Sequence, residues 1–253
     1  RRLGIAARRR PYRALPGPTG GCPHRPAAFR QWADPVFHWH VPSIVVVVRR
    51  IEQVRTARLL MRRWRDSDRA PFADLNADPE VMRYFPSVLD RAASDDLIGR
   101  FERRFDEQGF GLWALEVLAT GEFIGFTGLN PMPLGVPGAG GQEVGWRLAR
   151  HAWHHGYATE AAWAALEVGF ISVGLAEISS ITAVVNTPSQ AVMQRVGMSR
   201  YAAFDHPDVE VGHPLRPHVG YRIERAAVTH HGRMVHRRQL SDTTTTEVPR
   251  VVG

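Results

Sequence analysis

The segment Glu143-Val-Gly-Trp-Arg-Leu-Ala-Arg-His-Ala-Trp-His-His-Gly-Tyr-Ala-Thr-Glu-Ala161 constrains the chain more than any other stretch. It predicts a strand over 143–148, then a turn built on an obligately small residue, Gly156, then a helix that opens at once. A turn of this kind aims free backbone N–H groups and the positive end of a helix dipole at one spot, which suits a pyrophosphate. Gly156 allows another group to approach the backbone closely, and Ala158 is the other residue small enough not to block it. Gly-x-Ala before a helix is also an ordinary tight turn, so its meaning depends on what surrounds it.

The surroundings are regularly punctuated. A strand is predicted over 58–64, and Asp66 is a candidate N-cap for a helix reaching Asn76. Asp78-Pro79-Glu80 starts a short helix with Pro in its first turn. A longer helix is expected over 94–108, with Leu97, Ile98, Phe101 and Phe105 as its apolar stripe and Gly109 as its stop. Strands over 110–118 and 122–129 form an antiparallel hairpin through Ala119-Thr120-Gly121, and 131–141 is a Gly/Pro-rich loop. After the Gly156 turn come a helix over 159–173 ended by Gly174, a strand over 178–185, and a helix over 188–196 ended by Gly197. Strands over 198–204 and 218–223 close the sheet. The order is that of a mixed α/β (α+β) layer.

A second constellation, Asn186-Thr187-Pro188-Ser189, opens the helix that ends Met193-Gln194-Arg195-Val196-Gly197. Asn186 or Thr187 caps that helix and Gly197 stops it, whatever the function. The two constellations, in this order, about thirty residues apart, are more specific than either alone. Together with Thr56-Ala-Arg58-Leu-Leu-Met-Arg62, Asp78-Pro-Glu-Val-Met-Arg-Tyr-Phe-Pro86, Glu122-Phe-Ile-Gly125-Phe-Thr-Gly128, Phe204-Asp-His-Pro207 and His218-x-x-Tyr221-Arg, they resemble the GNAT superfamily of N-acetyltransferases. The branch they resemble contains the ribosomal-protein N-terminal acetyltransferases, and the resemblance spans about 170 residues.

The resemblance implies a mostly antiparallel central sheet flanked by helices and splayed in the middle for CoA. It implies acetyl-CoA as co-substrate and a primary amine as acceptor, with no metal. The backbone of His154, His155, Gly156, Tyr157, Ala158 and Thr159 would hold the pyrophosphate. The splayed strands would receive the pantetheine, and Asn186 would bond the pantetheine or acetyl end. Arg147, Arg150 and Arg195 would meet the remaining phosphate charge, or stand as solvated surface cations. Acyl transfer to an amine needs a base, an oxyanion site and positioning. Glu143 is the candidate base, against the alternative of a surface carboxylate paired with an Arg, and the N–H groups of Trp146, Arg147 and Leu148 would serve the oxyanion. Two departures stand out: Trp153 replaces the usual Arg/Gln at the start of the phosphate loop, and Met193 replaces the usual general-acid Tyr. Ser189 or a water is left as proton donor. Glu160, in a first helical turn, reads as structural.

Charge separates the chain into three parts. Residues 1–50 hold 10 Arg and the single acid Asp34, whereas 51–225 hold 18 Arg and 22 acids, so the formal net charge of +7 resides at the ends. The ends, 1–50 and 227–253, lack sustained periodicity and are expected to be disordered, leaving 51–226 as the catalytic domain. One Cys, Cys22, excludes an internal disulfide framework. The aliphatic run 44–48 is too short for a membrane span, and a cytoplasmic monomer or homodimer is expected. His151, His154 and His155 precede a helix rather than share a helical face, which argues against a metal site. Two rival readings remain: a CoA-binding domain without catalysis, and a nucleic-acid protein driven by the Arg-rich arm. The loops 76–90 and 205–217 would frame the acceptor, with Glu80, Asp208 and Glu210 suited to a cationic amine.

Overall fold

The computed structural model describes residues 50–226, so the expectations for 1–49 and 227–253 lie outside the described residues. Eight strands form one sheet in the order β1-β2-β3-β4-β5-β6-β8-β7. They are β1 (Gln53–Arg55), β2 (Leu59–Arg62), β3 (Leu112–Val117), β4 (Phe123–Pro131), β5 (Gln142–Leu148), β6 (Glu177–Ala183), β7 (Ser199–Asp205) and β8 (Pro217–Glu224). Five helices flank it: α1 (Arg69–Ala77), α2 (Pro79–Met82), α3 (Arg91–Gln108), α4 (Tyr157–Glu167) and α5 (Thr187–Arg195). The mixed, mostly antiparallel sheet matches the expected fold class.

Alternation along the strands sorts the core into two layers. On β3, Leu112 and Ala114 join Trp64, Phe72, Leu75, Val81 and Ile98 beneath α1–α3. Trp113, Leu115 and Val117 face the other way and join Ala161, Ala165 and Leu166 of α4 and Val192 and Met193 of α5. The first layer is aromatic: Trp64 packs 4.7 Å from Phe72, which meets Phe126 edge-on at 5.9 Å. Arg62 ties the β2 end to this layer, donating to both carboxylate oxygens of Asp68 at 2.7 and 2.9 Å and to Glu116 at 2.8 Å.

Caps place the helix ends. Asp90 accepts from the N–H of Ala93, so α3 begins at Arg91 rather than at 94, and Gly109, left-handed at φ 78°, ends it. Asp66 does not cap α1; it lies inside a 3-10 turn, Asp66–Asp68, that leads into the helix. The helix expected from 159 begins at Tyr157, and its last part widens into a π-helical segment, Val168–Val173, ended by Gly174. β1 was not expected, being three half-exposed residues with no apolar alternation.

The hairpin strand expected over 122–129 contains a bulge. Register runs Leu115↔Gly125 and then Glu116↔Phe123, so Ile124 is the extra residue. The bulge explains why Ile124 packs in the α4 layer while Phe126, two residues on, packs in the α1–α3 layer. Gly125, at φ 135°, lets β5 approach: a Cβ there would lie 2.2 Å from the carbonyl oxygen of Arg147. Gly125→Ala is therefore expected to destabilise the protein by ~2–4 kcal/mol in chemical denaturation; a change under ~0.5 kcal/mol would contradict this account of the bulge.

Candidate functional site

β5 and β6 are the only neighbouring strands of the described sheet that run parallel, and they share one registered pair, Glu143↔Ser179. β4 pairs with β5 along its whole length, and β8 pairs with β6 along its whole length. The strands therefore separate beyond Glu143 and Ser179. Along Val144–Leu148, alternate N–H and C=O groups project from an edge with no strand against it. This is the splay expected between the two strands.

Past the open end of the splay lies the turn before α4. His154 is left-handed at φ 65° and Gly156 at φ 80°, and no side chain caps α4. The N–H groups of Tyr157, Ala158 and Thr159 thus begin a helix whose positive end is left to an outside partner. A Cβ on Gly156 would come within 3.5 Å of the Arg58 guanidinium. Trp153 donates from its indole nitrogen to the carbonyl of Leu148 at 2.9 Å, tying the turn to the end of β5.

Arg58 was not singled out from the sequence, although it lies in one of the matching strings. It donates to the carbonyl of His155 at 2.9 Å, pairs with Glu160 at 2.7 Å and lies 4.8 Å over the Tyr157 ring. Glu160 also accepts from the Thr56 hydroxyl at 2.6 Å and the Arg58 N–H at 2.9 Å. Its burial is outweighed by these bonds, and its carboxyl sits below the usual range. Glu160 therefore pins α4 to the β1–β2 turn, the structural role expected of it.

Glu143 is half-buried at the junction of the strands, with Asn130 on the paired position of β4 donating to it at 3.4 Å. No ion-pair partner lies beside it among the described residues, unlike the surface pairing that was the alternative. Burial pushes its carboxyl from 4.5 up to about 7, against the smaller opposing effect of the Asn130 bond. Such a group is poised to exchange a proton near neutrality.

The other expected residues fall into two sets. Trp146 and Leu148 project into the α4 layer. Arg147, between them, projects to the opposite face, bonding the side-chain oxygen of Asn76 and stacking 4.1 Å from Phe85 and 5.5 Å from Phe126. Its side chain does not join the turn before α4. Arg195 and Arg150 are exposed, Arg150 at 3.8 Å from Asp78. Asn186 is buried and spends its amide within the chain: it accepts from the N–H of Ser189 at 3.3 Å and donates to Thr182 at 2.8 Å and to the Ser189 hydroxyl at 3.1 Å. Ser189 thus accepts from Asn186 and keeps its own hydrogen. Met193 is enclosed in the core. His155 stacks on Tyr157, and His151 pairs with Glu122 at 3.0 Å. Among the described residues no three His, Cys, Asp or Glu side chains gather as a metal site, and no helix is long and apolar enough to cross a membrane.

The family model described as the GNAT acetyltransferase domain matches residues 58–199. The chain is a GNAT acetyltransferase. Among its relatives, YkkB of Bacillus subtilis is 32% identical over 144 residues, which are 56% of this chain and 83% of that protein. The N-acetyltransferase p20 of Bacillus licheniformis is 27% identical over 152 residues, 59% of this chain and 84% of that protein. The fold is shared with an acetyltransferase from Agrobacterium tumefaciens at a TM-score of 0.57 and 26% identity, covering 69% of this chain and 95% of that one. RimL, a ribosomal L7/L12 acetyltransferase crystallised with coenzyme A, shares the fold alone, at a TM-score of 0.56 and 14% identity over 68% of this chain and 98% of RimL. The chain is thus an acyltransferase of a family that uses acetyl-CoA.

Glu143 generates a prediction that does not depend on activity. Its folded pKa is raised, so between about 4.5 and 7 the folded state holds a proton that the unfolded state has lost, and stability falls as pH rises through that window. Glu143→Gln removes this term. The melting temperature of the variant relative to the parent is expected to climb from pH 5 to pH 8; a pH-independent difference would contradict a buried carboxyl here.

Proposed function

We propose that this protein transfers an acetyl group from acetyl-CoA directly to a primary amine, with Glu143 as general base. The observation that carries this reading is the single Glu143↔Ser179 junction, which leaves an open strand edge leading from a buried carboxyl to the uncapped start of α4. The N–H groups of residues 154–159 and the α4 dipole would hold the pyrophosphate, with Arg58 adding positive charge beside the turn and Arg195 reaching the nucleotide end. The free edge of β5 would bond the pantetheine as a third strand would. Trp146 and Leu148 contribute here through backbone groups, whereas the backbone N–H and C=O of Arg147 face β4.

In this arrangement the amine arrives protonated and must lose a proton before it can attack. Glu143, with a carboxyl near 7, takes that proton directly or through a water. The amine nitrogen then bonds to the thioester carbonyl carbon, and the oxyanion is met by N–H groups of the β5 edge. The C–S bond breaks with its electron pair leaving on sulfur. A thiolate of pKa about 8.5 is a tolerable leaving group; the second proton of the attacking nitrogen passes to it through the Ser189 hydroxyl or a water, giving the neutral amide and free coenzyme A without the Tyr that Met193 replaces. Asn186 acts by fixing the start of α5 and orienting Ser189. The partners this reading requires are acetyl-CoA and an amine acceptor; a monomer or homodimer in the cytoplasm would satisfy it.

Glu143→Gln keeps the shape and removes the basicity. With one good acceptor, kcat is expected to fall by roughly 10²-fold at neutral pH while acetyl-CoA affinity is retained, and raising the pH should partly restore the rate as more amine arrives deprotonated. A domain that binds CoA without catalysis would show thiol release from acetyl-CoA unaffected by any acceptor amine. An unchanged kcat at neutral pH would remove Glu143 from the mechanism.

A further inference from the structure

Glu143, Gly145 and Arg147 lie on one face of β5, the face turned toward α1–α3. Between the two charged side chains, Gly145 leaves the strand bare: a Cβ there would meet no described atom within 4 Å. Its φ is not left-handed, so conformation does not require a glycine. At the far end of this bare strip sits a guanidinium in an unusual state. Arg147 has no carboxylate within ion-pair distance among the described residues, its Nε is enclosed without a hydrogen-bond partner, and burial lowers its pKa to about 10. An unpaired buried cation is costly, and so is an orphaned buried donor.

The same guanidinium is held in place. Asn76, fully enclosed at the end of α1, donates to the Ser94 hydroxyl at 2.8 Å and turns its side-chain oxygen to Arg147. The guanidinium carbon lies 4.1 Å from the Phe85 ring centroid and 5.5 Å from that of Phe126. A planar fork fixed by stacking and one neutral hydrogen bond, with donors left over, matches the geometry that receives a carboxylate or phosphate.

We propose that the strip over Gly145 is the acceptor site and that Arg147 binds an anionic group of the acceptor, so that the substrate is a primary amine that also carries a carboxylate or a phosphate. This rests on Glu143 marking the amine end. Along an extended strand the Cα atoms of residues 143 and 147 are about 13 Å apart, and both side chains reach inward from those points. The acceptor is therefore an amine separated from its acid by several bonds. Arg147 thereby serves the acceptor through its side chain, while its backbone groups are turned to β4.

Binding without turnover tests this separately from catalysis. With the protein saturated by coenzyme A, calorimetry of 6-aminohexanoate and of hexylamine compares acceptors with and without the acid, and O-phosphorylethanolamine against ethanolamine asks whether phosphate is the preferred anion. The expected result is at least tenfold tighter binding of one acid-bearing amine than of its counterpart lacking the acid, with that ratio falling to about one in Arg147→Met and coenzyme A affinity retained. Gly145→Val, which suits a strand and whose Cβ meets no described atom within 4 Å, should weaken the acid-bearing amine at least tenfold while leaving the melting temperature close to that of the parent. Equal or undetectable binding of the paired acceptors overturns the proposal, as does an Arg147→Met protein that loses coenzyme A affinity tenfold with its acceptor preference intact. Failure of the base assignment would appear instead as normal binding ratios with an undiminished kcat in Glu143→Gln.

Discussion

The architecture turns on one contact, the parallel pair Glu143↔Ser179. A sheet of eight strands normally satisfies its backbone groups by pairing each strand along its length. Here the two halves, β1–β5 and β6–β8, are antiparallel internally but meet at a single registered position. If the pairing continued, the β5 edge would be spent. Because it stops, a row of donors and acceptors remains available beside the half-buried carboxyl of Glu143. The same junction therefore makes the cleft and sets the proton affinity of the group at its apex.

Several distant features hold that junction in position. The bulge at Ile124 and the bare Gly125 let β4 and β5 close up beside Arg147 and Leu148. Trp153 carries the constraint from the end of β5 into the turn, and the Arg58–Glu160 pair ties the first turn of α4 to the β1–β2 turn. The two aromatic and aliphatic layers on either side supply the stability that allows an unpaired edge to persist.

Much of this was legible in the sequence. Caps and glycine stops marked α2, α5 and the end of α3, alternation marked β2, and the Ala119-Thr120-Gly121 turn joined β3 to β4, because those signals are local. Gly156 was recognisable as a turn residue from its position between a strand and a helix. What depended on long-range contact was not legible. Arg147 was expected to meet phosphate charge, but its side chain bonds Asn76, 71 residues away in the chain. The spending of Asn186 on Thr182 and Ser189 and the role of Arg58 at His155 likewise required the folded chain. The bulge at Ile124 left no mark on the alternation of β4 beyond two glycines, and β1 was too short and too exposed to have one.

The central claim is that the open β5 edge and the start of α4 together seat acetyl-CoA. Amide hydrogen exchange with and without coenzyme A tests it at the atoms concerned. Binding should slow exchange at least tenfold in two separated segments, 144–148 and 157–159, with little change in β2, β3 and the interior of α3. Protection that appears elsewhere while both segments exchange at their free rates would contradict the account.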